Sequence, residues 1–312
     1  MAREALRALE ETPASGLVRI GRNVARAVSD PRELARSARR QPTMSVGIVI
    51  ITTMVLLSLA SPLLIDVLGA APPNKTHMDD RFVAPGADYW FGSDAFGRDV
   101  FSRSLDGGKV SLFIGFTVAV FTIGLGSVLG ALTGYFRPVD AVLMRFMDGL
   151  MAIPTLLLAI ALMMLLEAGV WTVITAIVIV DTPGMTRIAR AQVLSLREQV
   201  FVESARAIGA SWIRVLGRHI IPNLIAPVII FGTLVAAQAI LIEAYLSFLG
   251  AGVPPASQAT WGNVMAEGRS FITKAMWVIF FPGLLLAIAV TSINLMGDGL
   301  RDVLDPKLRR RL

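Results

Sequence analysis

The chain has 312 residues, of which 54% are hydrophobic and only 17% are charged, and its mean hydropathy is +0.66. A soluble globular chain carries about 25% charged residues and about 45–50% apolar ones, so this composition excludes an ordinary soluble domain. The chain contains no cysteine, which excludes disulfide frameworks and thiolate chemistry.

Long apolar stretches predict an all-α integral membrane protein with six transmembrane helices. A bilayer core about 30 Å thick is crossed by about 20 apolar residues in a helix. No cleavable signal peptide is predicted, because the Arg-rich segment before the first apolar run is too long for a signal-peptide n-region. The run itself is long enough to span. The predicted spans are, in chain order, 44–66, 109–135, 142–166, 170–188, 223–248 and 275–297.

Positive charge is unevenly distributed between the segments that connect these spans. With the N-terminus inside, the cytoplasmic segments hold 22 of the 29 Lys and Arg residues. This is the positive-inside bias that sets the orientation of membrane proteins, and it argues against nucleic acid as the partner of the basic residues. The predicted segments are a cytoplasmic N-terminal segment 1–43, the first helix 44–66, an extracytoplasmic loop 67–108, a membrane core 109–299 containing a cytoplasmic loop at 197–222, and a cytoplasmic tail 300–312.

Glycines mark two places along the predicted spans. Gly126, Gly130 and Gly134 are four residues apart, which in lipid predicts a helix face that another helix approaches closely. Gly297 is the last residue of the final apolar run and Gly299 lies just beyond it, and together they predict the end of its helix.

Two acidic residues, Asp181 and Glu243, fall within predicted spans. Acidic residues inside a membrane are candidates for a transport pathway, so both are candidate pathway residues. The alternative is that each lies near a helix end, hydrated or paired with an arginine.

Other chemistry has no support in the sequence. The chain contains no phosphate-binding loop of the form G-x-x-x-x-G-K-[S/T], and no nucleophile motif. His77 and His219, its only histidines, fall on opposite sides of the predicted membrane, so no metal site is predicted. We therefore predict no enzyme activity and no cofactor for this chain.

A charged stretch, VESARAIGASWIRVLGRHIIPN at 202–223, interrupts the apolar sequence. Because a charged side chain costs about 2.5–3.5 kcal/mol at the centre of a bilayer, this stretch cannot span and is predicted to lie on the cytoplasmic side. Gly209 predicts a bend between two short helices, and Pro222 predicts the end of the stretch at the start of the fifth span. Glu203 is expected to pair with Arg206 or with an external cation. The helical periodicity predicts an apolar face of Phe201, Ala205, Ile208, Trp212, Val215, Leu216, His219 and Ile220, opposite Arg206, Ala210, Arg214 and Arg218.

Residue types alone leave two interpretations of this stretch open. It is either an interfacial helix on anionic lipid or a docking site for a cytoplasmic partner, whose approach the small residues Ser204, Ala205, Ala207 and Gly209 would permit.

The stretch resembles the EAA loop of ABC importer permeases. Glu203-Ser204-Ala205, Gly209 and Ile221-Pro222 match that motif, and RHIIPN is similar to the form found in peptide importers. Four further stretches are similar to the C-type permease subunit of dipeptide and oligopeptide importers, and Asp181-Thr182-Pro183 departs from it. These stretches are FGSDAFGRDVFSRSLDGGKVSLFIG (91–115), MDGLMAIPTLLLAIAL (147–162), EAYLSFLGAGVPP (243–255) and LMGDGLRDVLDPKLR (295–309).

The resemblance implies a type I ABC importer permease fold with a cytoplasmic coupling helix, in a bacterial inner membrane protein with both termini cytoplasmic. It implies that 197–222, hereafter the coupling segment, docks on an ATPase. The implied partners are a homologous second permease subunit, one or two ATP-binding subunits holding ATP and Mg²⁺, an extracytoplasmic substrate-binding protein and the lipid bilayer. The implied coupling residues are Glu203, Ser204, Ala205, Arg206, Ile208, Gly209, Ala210, His219 and Pro222.

The expected function is therefore half of the translocation pathway of an ATP-driven importer for di- or oligopeptides. The alternative is a secondary transporter or channel driven by an ion gradient, for which Asp181 and Glu243 would be the candidate residues. A membrane enzyme or scaffold has the weakest support, because no paired acid and base or metal set is present.

Overall fold

The computed structural model describes residues 41–304, so most of the predicted segment 1–43 and the end of the predicted tail 300–312 lie outside the described residues. Short turns occur at Met78–Asp80, Leu216–Ile220 and Arg269–Phe271, the second of them π-helical. The described helices are α1 Pro42–Leu59, α2 Ser61–Val67, α3 Val100–Tyr135, α4 Arg137–Met151, α5 Thr155–Leu165, α6 Val170–Arg197, α7 Val200–Ala207, α8 Trp212–Val215, α9 Ile221–Phe248, α10 Trp261–Gly268 and α11 Trp277–Leu304.

Five helices in this part of the chain are long and apolar enough to cross a membrane, and the bent pair α4–α5 makes a sixth crossing if it counts as one span. The five are α1, α3, α6, the continuous helix Trp212–Phe248 and α11. The prediction of an all-α membrane protein is confirmed. The buried core lies where α3, α6 and α9 pack together, around Ile114, Ile177 and Val235.

The first predicted span, 44–66, is not one helix. The chain breaks at Ala60, and Pro62 lies in the first turn of α2. Proline lacks the N–H that a continuous helix would use at this position and is favoured in the first turn of a helix, so Pro62 suits the start of a new helix.

The second predicted span also differs from the structure, because α3 begins at Val100 rather than at 109. Asp99 caps this helix, since its carboxylate accepts hydrogen bonds from the Phe101 N–H (3.0 Å) and the Ser102 hydroxyl (2.7 Å). In the first turn, Arg103 is fully buried, yet its guanidinium lies 3.2 Å from Asp94 and 2.9 Å from Glu267. A buried charge is tolerated when carboxylates compensate it, which a hydropathy profile does not register.

The same ion-pair cluster fixes the segment before α3 to α10. Arg98 joins it, with Nε 2.7 Å from Asp94 and Nη2 2.6 Å from Glu267. Four charged side chains from the chain before α3, its first turn and α10 thereby share one partly buried network. The last part of the predicted outer loop 67–108, from Asp94 onward, is therefore fixed to α10.

The third predicted span, 142–166, is wrong as a single helix. The chain bends by 92° between α4 and α5, at Ala152–Pro154. Pro154 has no N–H to donate and disfavours helical backbone at Ile153 before it. The α4 helix is attached to α6 by two ion pairs, Asp148–Arg187 at 2.6 Å and Asp140–Arg190.

The predicted glycine face on α3 is confirmed, and its partner is α6. Gly126 lies against Met185, Gly130 against Ala189 and Gly134 against Val193. The three glycines are buried, and a Cβ added at Gly130 would lie 2.5 Å from the Ala189 Cβ. The glycines therefore set the distance between the two helices.

The last predicted span continues further than the sequence suggests. The prediction that the helix ends at Gly297 and Gly299 is wrong, because α11 runs to Leu304. A Cβ added at Gly297 would overlap the side chain of Thr233 in α9, and one at Gly299 would overlap Met44 in α1. These glycines allow α9 and α1 to pack closely against α11.

Candidate functional site

The coupling segment consists of two short helical pieces joined by a turn. The turn is at Gly209, whose φ is +81°, as the predicted bend requires. The Ala210 N–H donates to the Ala205 carbonyl (3.0 Å) and the Gly209 N–H to the Arg206 carbonyl (2.9 Å), which is the Schellman pattern of a helix end. The sequence therefore specifies both the end of α7 and the change of direction after it.

One side of the coupling segment is anchored in the helix bundle. Val202, Val215 and Ile220 are fully buried, in a cluster with Ala131 of α3 and Met185 of α6. This cluster brings together residues from α3, α6, α7 and the start of α9. The coupling segment is therefore in direct contact with three long helices.

The predicted apolar face is only partly correct. Val215, Leu216 and Ile220 are buried as expected, whereas Ile208 is 86% exposed and Trp212 is 48% exposed. The turn at Gly209 breaks the helical periodicity on which the prediction rested, so residues beside the turn leave the shared face.

The exposed side of the segment contains part of the predicted coupling set. Ala205 faces the core at 6% exposure, because it shares a helix face with buried Val202. Ala210, His219 and Pro222 are half-buried. The members of the set that are exposed are Glu203, Ser204, Arg206, Ile208 and Gly209.

Glu203 is not paired with Arg206. The Arg206 guanidinium lies 5.0 Å from the ring centroid of Tyr135, and no ion pair within residues 41–304 includes Glu203. The Glu203 carboxylate in the first turn of α7 is thereby left exposed to solvent. It is available to a cationic group of another molecule.

Aromatic residues at the end of α3 support the exposed turn, and sequence reasoning did not identify them as part of the site. Phe136 packs edge-on against Trp212, with ring centroids 5.3 Å apart, and Tyr135 packs against Phe136 at 5.0 Å. Arg197 adds a hydrogen bond of 3.0 Å to the Gly134 carbonyl. The adjacent aromatic pair at a predicted span end was the available signal.

Pro222 does not stop the helix that precedes it. The chain is continuously helical from Trp212 to Phe248, through the π-helical turn Leu216–Ile220. In a π turn each carbonyl accepts from the N–H five residues later, one residue further along than in an α-helix. The Leu216 carbonyl accepts from the Ile221 N–H in this way, and this shift allows the helix to continue although Pro222 has no N–H to donate. The Asn223 side-chain amide also donates to the His219 carbonyl at 2.6 Å. The second piece of the coupling segment, from Trp212 onward, and α9 therefore form one continuous helix.

Asp181, a candidate pathway residue, lies in a cavity of about 180 Å³ between the bend α4–α5 and the helices α6 and α9. The Asp181 Oδ2 atom is buried and has no hydrogen-bond partner among the described residues. The ten lining residues are Leu150, Met151, Ile153, Thr155, Val180, Asp181, Gly184, Phe231, Val235 and Gln238.

Glu243, the other candidate pathway residue, has a different environment. It is fully buried, and its carboxylate accepts hydrogen bonds from the hydroxyls of Ser247 (2.8 Å) and Ser111 (3.3 Å). The alternative of a hydrated or arginine-paired position is therefore wrong for Glu243. Its contacts join α9 to α3, and it is not part of the cavity that contains Asp181.

Comparison with known proteins identifies the family of the chain. Residues 110–310 match the family model described as "Binding-protein-dependent transport system inner membrane component". The chain is 44% identical over 275 residues to a putative peptide transport system permease protein of Brucella suis, with 88% of this chain and 91% of the relative covered.

Two further relatives have more specific names. The dipeptide transport system permease protein of Alkalihalophilus pseudofirmus is 38% identical over 284 residues, which are 91% of this chain and 92% of the relative. The oligopeptide transport system permease protein of Bacillus subtilis is 38% identical over 266 residues, which are 85% of this chain and 86% of the relative. With its all-helical architecture, the protein has the type I ABC permease fold and belongs to the family of binding-protein-dependent transport system inner membrane components.

Proposed function

We propose that this protein is a permease subunit of an ATP-driven importer of di- or oligopeptides and forms half of the translocation pathway. The names of the relatives support the peptide substrate, since they are called peptide, dipeptide and oligopeptide permeases. The other half of the pathway is supplied by a homologous second permease subunit, and an extracytoplasmic binding protein delivers the peptide.

The coupling segment transmits the work of separate ATPase subunits to the helices. The observation that carries this proposal is that the segment has two sides: Glu203 on α7 and Ile208 at its end are exposed, whereas the other side is buried among α3, α6 and α9. An attached partner that moves this segment would tilt the long helices. The helix bundle would then switch between two arrangements, with the partner favouring one of them. ATP and Mg²⁺ belong to one or two such partners, and this chain hydrolyses nothing itself.

The proposed orientation has the coupling segment and both termini on the cytoplasmic side of a bacterial inner membrane. The excess of Lys and Arg in those segments supports it, because positively charged segments remain inside.

The test is ATP-driven uptake by the complete transporter in proteoliposomes that contain the binding protein and a labelled peptide. Glu203→Ala should lower the uptake per ATP hydrolysed by about tenfold, because an exposed contact to the ATPase is lost. Gly209→Asp should have a similar effect, because it places a charged side chain on the exposed turn that is proposed to contact the ATPase. Assembly of the complex should be unchanged in both variants.

Glu167→Ala is the matched control, because Glu167 is also exposed but lies in the turn between α5 and α6, outside the coupling segment. It should transport like the wild type. Normal uptake in both coupling variants would refute the coupling role. Uptake driven by an ion gradient in liposomes holding this chain alone would instead favour a secondary transporter.

A further inference from the structure

The cavity beside the α4–α5 bend contains a carboxylate without a counter-charge. No lining residue is Lys or Arg, and no ion pair within residues 41–304 includes Asp181. The nearby hydroxyls of Thr182 and Thr186 are bonded to backbone carbonyls of α6, at 2.6 Å and 2.8 Å. Burying an ionised carboxylate without a partner is costly, so this environment favours a cation that arrives from outside the chain.

The other residues that line the cavity indicate the chemistry of the rest of the ligand. Most of the lining is apolar, including Met151, Phe231 and Val235. The exposed side chains of Gln238 and Thr155 add polar atoms at its edge. A volume of about 180 Å³ is below the range of roughly 300–1,000 Å³ for whole drug-sized ligands, so the cavity holds one end of a molecule.

The chemistry of the cation follows from the donor set. A divalent metal ion takes about six or more oxygen ligands, and a single carboxylate with one amide does not supply them. A primary ammonium group has three N–H donors, which one carboxylate, an amide carbonyl and a hydroxyl can accept. A carboxylate with apolar walls therefore suits an ammonium group attached to an apolar body.

We propose that Asp181 binds the N-terminal ammonium group of the transported peptide, with the first side chain of the peptide against Phe231, Val235 and Met151. This inference rests on the proposed peptide import. The position is suited to transport, because the cavity adjoins the bend at Pro154 and is lined by α6 and α9. The coupling segment connects the end of α6 to the start of α9. Movement of that segment would therefore alter the site.

The first experiment measures peptide binding to the purified complex of permease and ATPase subunits without the binding protein, so that the selectivity of the binding protein plays no part. Radiolabelled trialanine and N-acetyl-trialanine are compared by equilibrium dialysis at millimolar concentration. Wild type should bind trialanine about tenfold more tightly, because the acetyl group removes the charge-assisted hydrogen bond. Asp181→Asn should abolish this difference.

Asp181→Glu, which keeps the charge, should retain most of the preference. Asp148→Asn is the matched control, since Asp148 is an exposed carboxylate paired with Arg187 on the adjacent surface, and it should bind like the wild type. The proposal is overturned if wild type does not prefer trialanine, if Asp181→Asn keeps the preference, or if the complex does not assemble with Asp181→Asn, which would assign the carboxylate to a subunit contact.

Uptake by the complete transporter, at saturating peptide-loaded binding protein, separates this inference from the proposed function. If wild type imports trialanine with ATP but Asp181→Asn binds and imports it equally well, the role of Asp181 is refuted and peptide import stands. If wild type imports no peptide, the proposed function itself fails.

Discussion

Gly209 and Gly217 are both exposed in the coupling segment, but their backbone conformations differ. Gly209 has a φ of +81°, whereas Gly217 lies within the π-helical turn and does not have a positive φ. A Cβ at either position would meet nothing within 4 Å. Because steric overlap is absent at both positions, a difference between substitutions at the two positions reports the cost of backbone conformation.

Gly209→Ala is predicted to destabilise the protein by about 1–2 kcal/mol, because a side chain is strained in the left-handed region. Gly217→Ala should be neutral or stabilising by roughly 0.5–1 kcal/mol, since glycine is unfavourable inside a helix. Thermal unfolding of the purified transporter measures both. Equal shifts in the melting temperature would contradict a conformational role for Gly209.

The two acidic residues in the spans show what could not be predicted from the sequence for single residues, namely the surroundings of each side chain. Asp181 and Glu243 are alike in the sequence, as single acids in apolar surroundings. In the structure, Glu243 is bonded by Ser111, which is 132 positions away in the chain, whereas Asp181 lines a cavity. Such a partner cannot be found from local pattern, so sequence reasoning could nominate both acids but could not distinguish them.

At the scale of helices, the contact between α3 and α6 depends on the missing side chains of three glycines. Gly130 is buried, and a Cβ there would also lie 2.7 Å from the backbone oxygen of Thr186. Gly124 is on the same helix but is exposed, with nothing within 4 Å of an added Cβ. The two positions form a matched pair within one element.

Gly130→Ala is predicted to cost about 1–3 kcal/mol, because backbone atoms of α6 have to move away. Gly124→Ala should leave stability unchanged or raise it slightly, since alanine is the better helix former. The melting temperature and yield of the purified protein measure the effect. A Gly130→Ala protein as stable as Gly124→Ala would mean that the two helices are not in close contact.

The ends and bends of helices were less predictable than their existence. All six apolar segments were identified, because each contains enough consecutive apolar residues to give a clear signal. The start of α3 was placed nine residues late, since Arg103 counts as a charge in the sequence but is compensated by Asp94 and Glu267 in the structure. The bend at Pro154 had a local signal, but proline is also tolerated within spans, as Pro183 and Pro227 are here.

At the scale of the whole molecule, the proposed orientation can be tested because the chain has no cysteine. Lys75 and Ile208 are both exposed, in the predicted outer loop and in the coupling segment. In intact cells, or in spheroplasts if an outer membrane is present, a membrane-impermeant maleimide should label Lys75→Cys.

The same reagent should label Ile208→Cys only after the membrane is permeabilised, because the positive-inside rule places this segment in the cytoplasm. The cysteine-free protein is the control for background labelling. Labelling of Ile208→Cys without permeabilisation, with protection of Lys75→Cys, would reverse the proposed orientation.

By itself, the sequence determined the all-helical membrane class, the six apolar segments, the glycine face of α3 and the bend at Gly209. Each of these depends on composition or on residues within a few helical turns of one another. The motif around Glu203 and Gly209 also led to the correct family. Only the tertiary structure decided which residues of the coupling segment are exposed, that α11 continues past Gly297, and that Asp181 rather than Glu243 faces a cavity. These features depend on contacts between segments distant in the chain, which local periodicity does not encode.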